Sequence, residues 1–194
     1  MFKVKEYDLP DFTIFKSGIS SEKFSTWVPT KKILILGRSN KPEASLKNIT
    51  DDIEIYKRPS GGETVILTPK TLVLSKNVNN VTLENSWEVF QSINQEIIKK
   101  LEYLNIRNLH RKGISDITIN EKKILGSSIY RTRNRLFYHA VLNVAESVST
   151  ISKYILHPKR EPDYRKGRSH DSFVTSIWQE GYHIPMQEIL NIFK

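Results

Sequence analysis

Apolar positions recur along this chain with two different periods. In the first third they form short runs. Phe12 to Phe15 (FTIF), Lys32 to Leu36 (KILIL), Ile53 to Lys57, Thr64 to Leu67 and Thr71 to Ser75 read as strands, with Gly, Pro and Asn in the gaps. The period then changes. From Asn85 to Leu104 the apolar residues Phe90, Ile93, Ile97, Leu101 and Leu104 follow one another at three and four, which predicts an amphipathic helix. Asn85 with Glu88 three residues on predicts a capping box at its start. Beyond it, Asp116 to Ile119, a turn at Asn120-Glu121, a return strand over Lys123 to Leu125 and Phe137 to Val144 restore the β pattern. Val148, Ile151 and Ile155 predict a short helix, Arg160 to Arg168 a polar loop, and Met186 to Phe193 a closing helix. There is no internal repeat and no low-complexity tract. Strands first, with a long helix in the middle, predict an α+β fold in a single domain over 1–194.

Composition sharpens this picture. Apolar residues make up 38% of 194, enough for a real core. Thirty Lys and Arg against 21 Asp and Glu give a net charge of +9, which attracts acidic partners. The basic residues are densest over Arg131 to Arg135 and Lys159 to Arg168. Cysteine is absent, which excludes disulfides, thiolate metal sites and a thiol nucleophile. The five histidines show no metal-ligand spacing, and no Ser/His/Asp set can be assembled from the sequence. The first residues, MFKVKEYDLP, lack the apolar run of a signal peptide, and the aliphatic runs are too short to cross a bilayer. A cytoplasmic protein with no membrane partner is the expectation. Aromatic and basic residues do not interleave in a nucleic-acid-binding motif, so nucleic acid is not the expected partner.

Two stretches carry candidate chemistry. RPSGGETV, residues 58–65, joins two adjacent glycines to an arginine. Arg58 offers a planar fork for a phosphate or carboxylate, and Gly61 and Gly62 allow backbone N–H groups to approach an anion. It is neither a Walker loop nor a dinucleotide loop. KKILGSS, residues 122–128, places two lysines where strand alternation sends them to opposite faces. An inward lysine there needs an anionic partner. Ser115-Asp116 precedes this hairpin, and His139 lies on the strand after it.

In order, these pieces resemble the lipoate–protein ligase branch of the biotin/lipoate ligase superfamily. Ile33-Leu34-Ile35-Leu36-Gly37-Arg38-Ser39-Asn40 resembles its strand ending in a Gly-Arg-x-Asn turn, and Arg58-Pro59-Ser60-Gly61-Gly62 its Arg-x-Ser-Gly-Gly-Gly loop. Gly113 to Ile117, Lys123 to Ser127 and Phe137 to Leu142 are similar to its Gly-x-Asn-Asp-[Leu/Ile], Lys-[Ile/Val]-Ser-Gly-[Ser/Asn] and His-Gly-Thr-Leu segments. Pro162 to His170 looks like a compact subgroup without the accessory C-terminal domain.

The resemblance implies a central mixed, largely antiparallel sheet flanked by helices. It implies ATP-driven activation of lipoate or octanoate to an acyl-adenylate, followed by transfer to a lysine of a lipoyl carrier domain. Lys123 is then the catalytic residue. Arg58, Ser60, Gly61, Gly62, Thr64, Val65, Asp116, Gly126, Ser127 and His139 bind substrate and nucleotide, and Asp116 is a candidate ligand for Mg²⁺. The partners implied are the acidic face of the carrier domain and a separate accessory protein. Related octanoyltransferases carry the acyl group on a cysteine, which this chain lacks. Competing readings are a non-catalytic ligase-fold binding module, a transferase using pre-formed lipoyl-AMP, and a biotin–protein ligase, whose Gly-Arg-Gly-Arg signature is missing. Glu63 in place of the loop's third glycine and the absence of His-Asp after Val65 favour the first two.

Overall fold

The structure, a computed structural model, describes residues 2–194. Its elements follow in chain order: β1 (Val4–Glu6), α1 (Pro10–Ser17), β2 (Ser25–Trp27), β3 (Ile33–Leu36), α2 (Pro42–Ser45), β4 (Glu54–Lys57), β5 (Val65–Leu67) and β6 (Thr71–Asn79). Then come α3 (Ser86–Tyr103), β7 (Leu109–Lys112), β8 (Asp116–Ile119), β9 (Lys122–Arg131), β10 (Arg135–Asn143), α4 (Val148–Tyr154), α5 (His170–Phe173) and α6 (Met186–Phe193). A single 3₁₀ turn, Asp163–Arg165, lies in the loop between α4 and α5. The class is α+β. The β structure divides into two sheets, a mixed one ordered β1-β4-β3-β5 and an antiparallel one ordered β2-β6-β10-β9-β8-β7.

Strand alternation explains how these layers stack. In β3, Ile33 and Ile35 face the larger sheet with Leu67 and Val73, whereas Leu34 and Leu36 face Tyr154 and Ile155 at the end of α4. In β6 and β10, Leu72, Leu74, Tyr138, Ala140 and Leu142 face Phe90, Ile93, Ile97 and Leu101 of α3 and Phe193 of α6. Each such side chain, fully buried, stabilises the fold by about 1.5–3 kcal/mol. The opposite face of β10 carries Phe137, His139 and Val141 towards the smaller sheet. The candidate histidine therefore lies between the sheets.

Two local expectations are corrected. Phe12 to Phe15 is not a strand but the middle of α1. Its aromatic and β-branched residues favour extended structure in isolation. Pro10 at the first helical position and the left-handed Gly18 at the end enclose a helix instead, and Phe12 and Phe15, one turn apart, pack on Phe137. The long helix starts where expected, but Asn85 forms no capping box. Its Oδ1 accepts from the Thr82 amide, and the Thr82 hydroxyl accepts from the Asn85 amide.

The β8–β9 hairpin turns through Asn120, at φ 52°, a conformation that asparagine tolerates. Thr118 pairs with Lys123 and Ile117 with Leu125, so Ile124 is an extra residue on β9. This bulge lets Ile124 and Leu125 both enter the core. It also leaves Lys123 and Gly126 together on the other face, with Asp116.

At the end of β3 the chain turns sharply against the loop that follows β4. The Gly37 amide donates to Asn40 Oδ1, and the Arg38 amide to the Ser60 carbonyl. A Cβ on Gly37 would collide with the Gly62 carbonyl. Gly37→Ala is expected to destabilise by about 2 kcal/mol, or roughly 4–8 °C in Tm. Thermal unfolding checks this, and an unchanged Tm would contradict the tight seating of the loop.

Candidate functional site

The loop 58–64 is built around Arg58, which is buried. Its Nε donates to Ser60 Oγ at 3.1 Å and to the Gly61 carbonyl at 3.2 Å. Nη2 donates to the carbonyls of Gly61 and Glu63, both at 2.8 Å, and Nη1 to that of Ile35 at 3.4 Å. The arginine thus draws the loop's carbonyl oxygens towards itself. Burial pulls its pKa down to about 10, still well above neutral. In a trans peptide the N–H lies opposite the C=O, so the amides of Gly62 and Thr64 point away from the guanidinium. Among the described residues, no protein acceptor meets the amides of Gly61, Gly62, Glu63 or Thr64. Gly62 adopts φ +86°, and the side-chain direction of Gly61 opens on empty space. The Thr64 hydroxyl donates to Asn40 Oδ1.

The second half of the site is the bulged hairpin. Lys123 Nζ lies 2.7 Å from Asp116 Oδ1, whereas Lys122 points outward with a loose 3.6 Å pairing to Glu180. Their side chains are 29% and 49% exposed, the order that alternation predicts. A Cβ on Gly126 would stand 2.8 Å from Lys123 Nζ, so only glycine lets the ammonium lie across the strand at that point. Tyr164 Oη donates to Asp116 Oδ2 at 2.8 Å, and Ser115 Oγ to Oδ1 at 3.3 Å. Burial and the neighbouring carboxylate push the Tyr164 phenol far above its usual range, so it remains a donor. Ser127 Oγ donates to the Ser115 carbonyl at 2.7 Å and lies 3.2 Å from the Asn94 side-chain amide, bringing β9 against α3.

Two cavities meet here. One, of about 620 Å³, has an apolar wall of Ile35, Val65, Leu67, Val73 and Val141, with Tyr7, Arg58 and His139 beside it. The other, of about 500 Å³, has Ile151, Ile155, Phe173 and Val174 on its walls and Lys41, Lys159, Arg160 and Arg165 among its lining residues. Lys123, Gly126, Glu63 and Val65 line both. His139 and Ser60 are buried and touch, Nε2 to Oγ at 2.5 Å. The structure also joins them to Asp11, a residue with no functional signal in the sequence. Tyr7 and Tyr164, likewise unmarked in the sequence, complete the surroundings.

Asp116, the candidate ligand for Mg²⁺, does not stand in a ready-made metal cage. Among the described residues no three His, Asp or Glu side chains gather as a metal-ligating group. Both Asp116 oxygens are already engaged, by Lys123 and Ser115 on one and Tyr164 on the other.

Comparison with known proteins gives the family and the fold. The family model for the lipoyl protein ligase A/B catalytic domain matches residues 12–194, and the chain belongs to that family. An inactive lipoate–protein ligase 2 of Plasmodium falciparum is 25% identical over 186 residues, covering 76% of this chain and 48% of that protein. A probable lipoate-protein ligase A of Mycoplasma genitalium is 27% identical over 135 residues, covering 63% and 37%. The chain thus spans half or less of the curated relatives it matches. Among solved structures, the bi-partite lipoate protein ligase of Thermoplasma acidophilum, described with its E2 lipoyl domain, superposes with TM-score 0.79 at 16% identity, over 99% of this chain and 80% of that one. A T. acidophilum putative lipoate protein ligase with bound lipoic acid gives TM-score 0.76 at 16% identity, over 94% and 74%. A lipoate-protein ligase A bound with ATP gives 0.74 at 16%, over 100% and 81%. Among the described residues no helix is long and apolar enough to cross a membrane.

The surroundings of two histidines of the site predict a fold that loses stability in acid. Burial lowers the pKa of His139, which Asp11 only partly offsets. Burial, with Arg165 and His157 nearby, brings that of His170 down to about 4 from 6.5. The unfolded chain therefore takes up these protons first, and stability falls as pH drops from about 6.5 towards 4. Tm measured across that range should decline, and His170→Asn should flatten part of the slope. Parallel curves for the two proteins would contradict the His170 contribution.

Proposed function

We propose that this chain is the catalytic part of a lipoate–protein ligase. Lipoate or octanoate attacks the α-phosphate of ATP, giving an acyl-adenylate and pyrophosphate. A lysine amine of a lipoyl carrier domain then attacks the acyl carbon and releases AMP. The observation that carries this reading is the position of Lys123 where the two cavities meet, one with an aliphatic wall between the sheets and the other with Lys41, Lys159 and Arg165 added to the Arg160 that both share. An acyl chain suits the first and an adenylate the second, and their mixed anhydride would lie beside the ammonium.

Each residue then has a role. Negative charge develops on the α-phosphate oxygens, and Lys123 neutralises it; a fixed charge at such a point is worth on the order of a hundredfold or more in rate. The amides of Gly61, Gly62, Glu63 and Thr64 receive the acyl carbonyl or phosphate oxygens, which the open space at Gly61 admits. Arg58, Ser60 and His139 hold that loop, and Val65 lines the acyl channel. Asp116, giving up Lys123 to the phosphate, orients the incoming amine. Ser127 and Gly126 keep the hairpin flat beneath the anhydride. ATP enters with Mg²⁺ carried on its own phosphates. The likeness to a bi-partite ligase supports a separate accessory protein as partner. The relative named as inactive favours one other reading, a non-catalytic ligase-fold binding module; a transferase that takes pre-formed lipoyl-AMP would keep the second step alone.

The lysine pair tests the proposal. Single-turnover formation of acyl-adenylate is measured first, then transfer from pre-made acyl-adenylate to a lipoyl domain. Lys122→Ala should act as wild type in both steps and change stability by less than about 0.5 kcal/mol. Lys123→Ala should abolish both, and Lys123→Arg should fail as well, since a broad fork does not replace a compact ammonium. Equal activity of the two alanine variants would sink the assignment. A wild type that transfers but does not activate identifies the transferase.

The basic stretches Arg131 to Arg135 and Lys159 to Arg168 give this reading a second test. They would steer an acidic carrier domain, and exposed charges are screened beyond roughly 10 Å at about 0.1 M salt. Affinity for the carrier should fall as salt rises. A flat response removes the steering.

A further inference from the structure

Asp11 is completely buried in the first turn of α1, behind Tyr7 and His139 on the wall of the first cavity, and it is wired to the loop. Its carboxylate faces the Tyr7 hydroxyl at 3.0 and 2.9 Å, Trp27 Nε1 at 3.2 Å and His139 Nδ1 at 3.3 Å. The Trp27 indole N–H can only donate, the Tyr7 hydroxyl donates to the same carboxyl group, and a carboxylate is an acceptor. His139 Nδ1 therefore carries the proton. Nε2 is left with its lone pair, 2.5 Å from Ser60 Oγ, so the serine O–H donates to it. Ser60 Oγ in turn accepts from Arg58 Nε. The order runs one way: Arg58 N–H to Ser60, Ser60 O–H to His139, His139 N–H to Asp11.

The sequence Ser60–His139–Asp11 has the order of a nucleophilic triad, but the geometry is that of a brace. Ser60 is 1% exposed, is not part of either cavity wall, and has its oxygen engaged by Arg58. A nucleophile needs an open approach, and this hydroxyl has none.

We propose that Asp11 is a positioning residue for the loop 58–64, acting through the tautomer of His139 and the hydroxyl of Ser60. The proposal rests on the reading of that loop as the acyl-adenylate cradle. With Nδ1 protonated, Ser60 has an acceptor for its proton and a free lone pair for Arg58. Arg58 is then held where its other N–H groups capture the Gly61 and Glu63 carbonyls and turn the amides outward. In the opposite tautomer an N–H on Nε2 would face the serine. The hydroxyl would have to accept from it and find another acceptor for its own proton in a buried setting, and the loop would loosen.

The test uses Asp11→Asn, since an amide cannot accept from three donors. Nitrogen NMR of the His139 ring reports which nitrogen is protonated, and backbone relaxation reports the order of Gly61 to Thr64. Calorimetry gives the affinity for a non-hydrolysable lipoyl-adenylate mimic. The wild type should show the proton on Nδ1 and rigid loop order parameters near about 0.85. The variant should move the proton to Nε2, bring those parameters below about 0.6 and weaken binding about tenfold or more. Should the variant not fold, Ser60→Ala cuts the chain while leaving Asp11 and His139 in place, and it should loosen the loop with the tautomer unchanged. A tautomer that moves while loop order and affinity do not, or a Ser60→Ala protein as ordered and tight as wild type, overturns the proposal. A wild type that does not bind the mimic counts against the acyl-adenylate reading, and ring protonation and loop order then decide on Asp11 by themselves.

Discussion

The buried guanidinium of Arg58 is the interaction on which the site depends. A charge taken out of water without partners is costly, and one surrounded by carbonyl oxygens is tolerable. The loop supplies those oxygens from Gly61 and Glu63, and β3 adds that of Ile35. The same exchange fixes the peptide planes of the loop. Once the carbonyls face the arginine, their trans-linked amides face the other way, and a segment without repetitive structure acquires one conformation. Gly37, beneath it, lets the loop sit close against the end of β3.

The two sheets add the walls, and a bulge adds the ammonium. Because Ile35, Val65, Leu67, Val73 and Val141 come from strands of both sheets, the apolar cavity exists only where the sheets face one another. Lys123 reaches that seam because Ile124 is an extra residue, which lets a core-filling run, Ile124-Leu125, lie between two residues of the site face. The ion pair with Asp116 keeps the lysine in place, with Tyr164 on the other carboxylate oxygen. In the proposed reaction an anionic substrate takes over that lysine, and the carboxylate is then free for the incoming amine.

Much of this was legible in the sequence, for physical reasons. The strands β3, β4, β5, β8 and β10 carry dense aliphatic or alternating residues, and α3 keeps a helical period over several turns. The inward lysine followed from alternation and the motif match. Other parts were not legible. In α1, the β-favouring FTIF is overridden by packing on Phe137. The strand β7, Leu109-His110-Arg111-Lys112, is a polar edge without a periodic signal. Asp11 and Tyr164 reach the site through His139 and Asp116, 128 and 48 positions away in the chain, which no local pattern encodes. Arg58 was expected to meet a ligand directly; its donors also hold its own loop while its side chain lines the first cavity, a second role that residue type does not reveal.

The central claim is that the loop 58–64 presents its amides, and β9 presents Lys123, to one acyl-adenylate. A crystal structure of the wild-type protein with a non-hydrolysable lipoyl-adenylate mimic tests it most directly. The account predicts ligand oxygens within hydrogen-bonding distance of loop amides. It also predicts Lys123 Nζ drawn from Asp116 to the phosphate position, the acyl chain along Val65 and Val141, and Arg58 still bound to the carbonyls of Gly61 and Glu63. A mimic bound with those amides turned to solvent, or with Lys123 still paired only to Asp116, would contradict it.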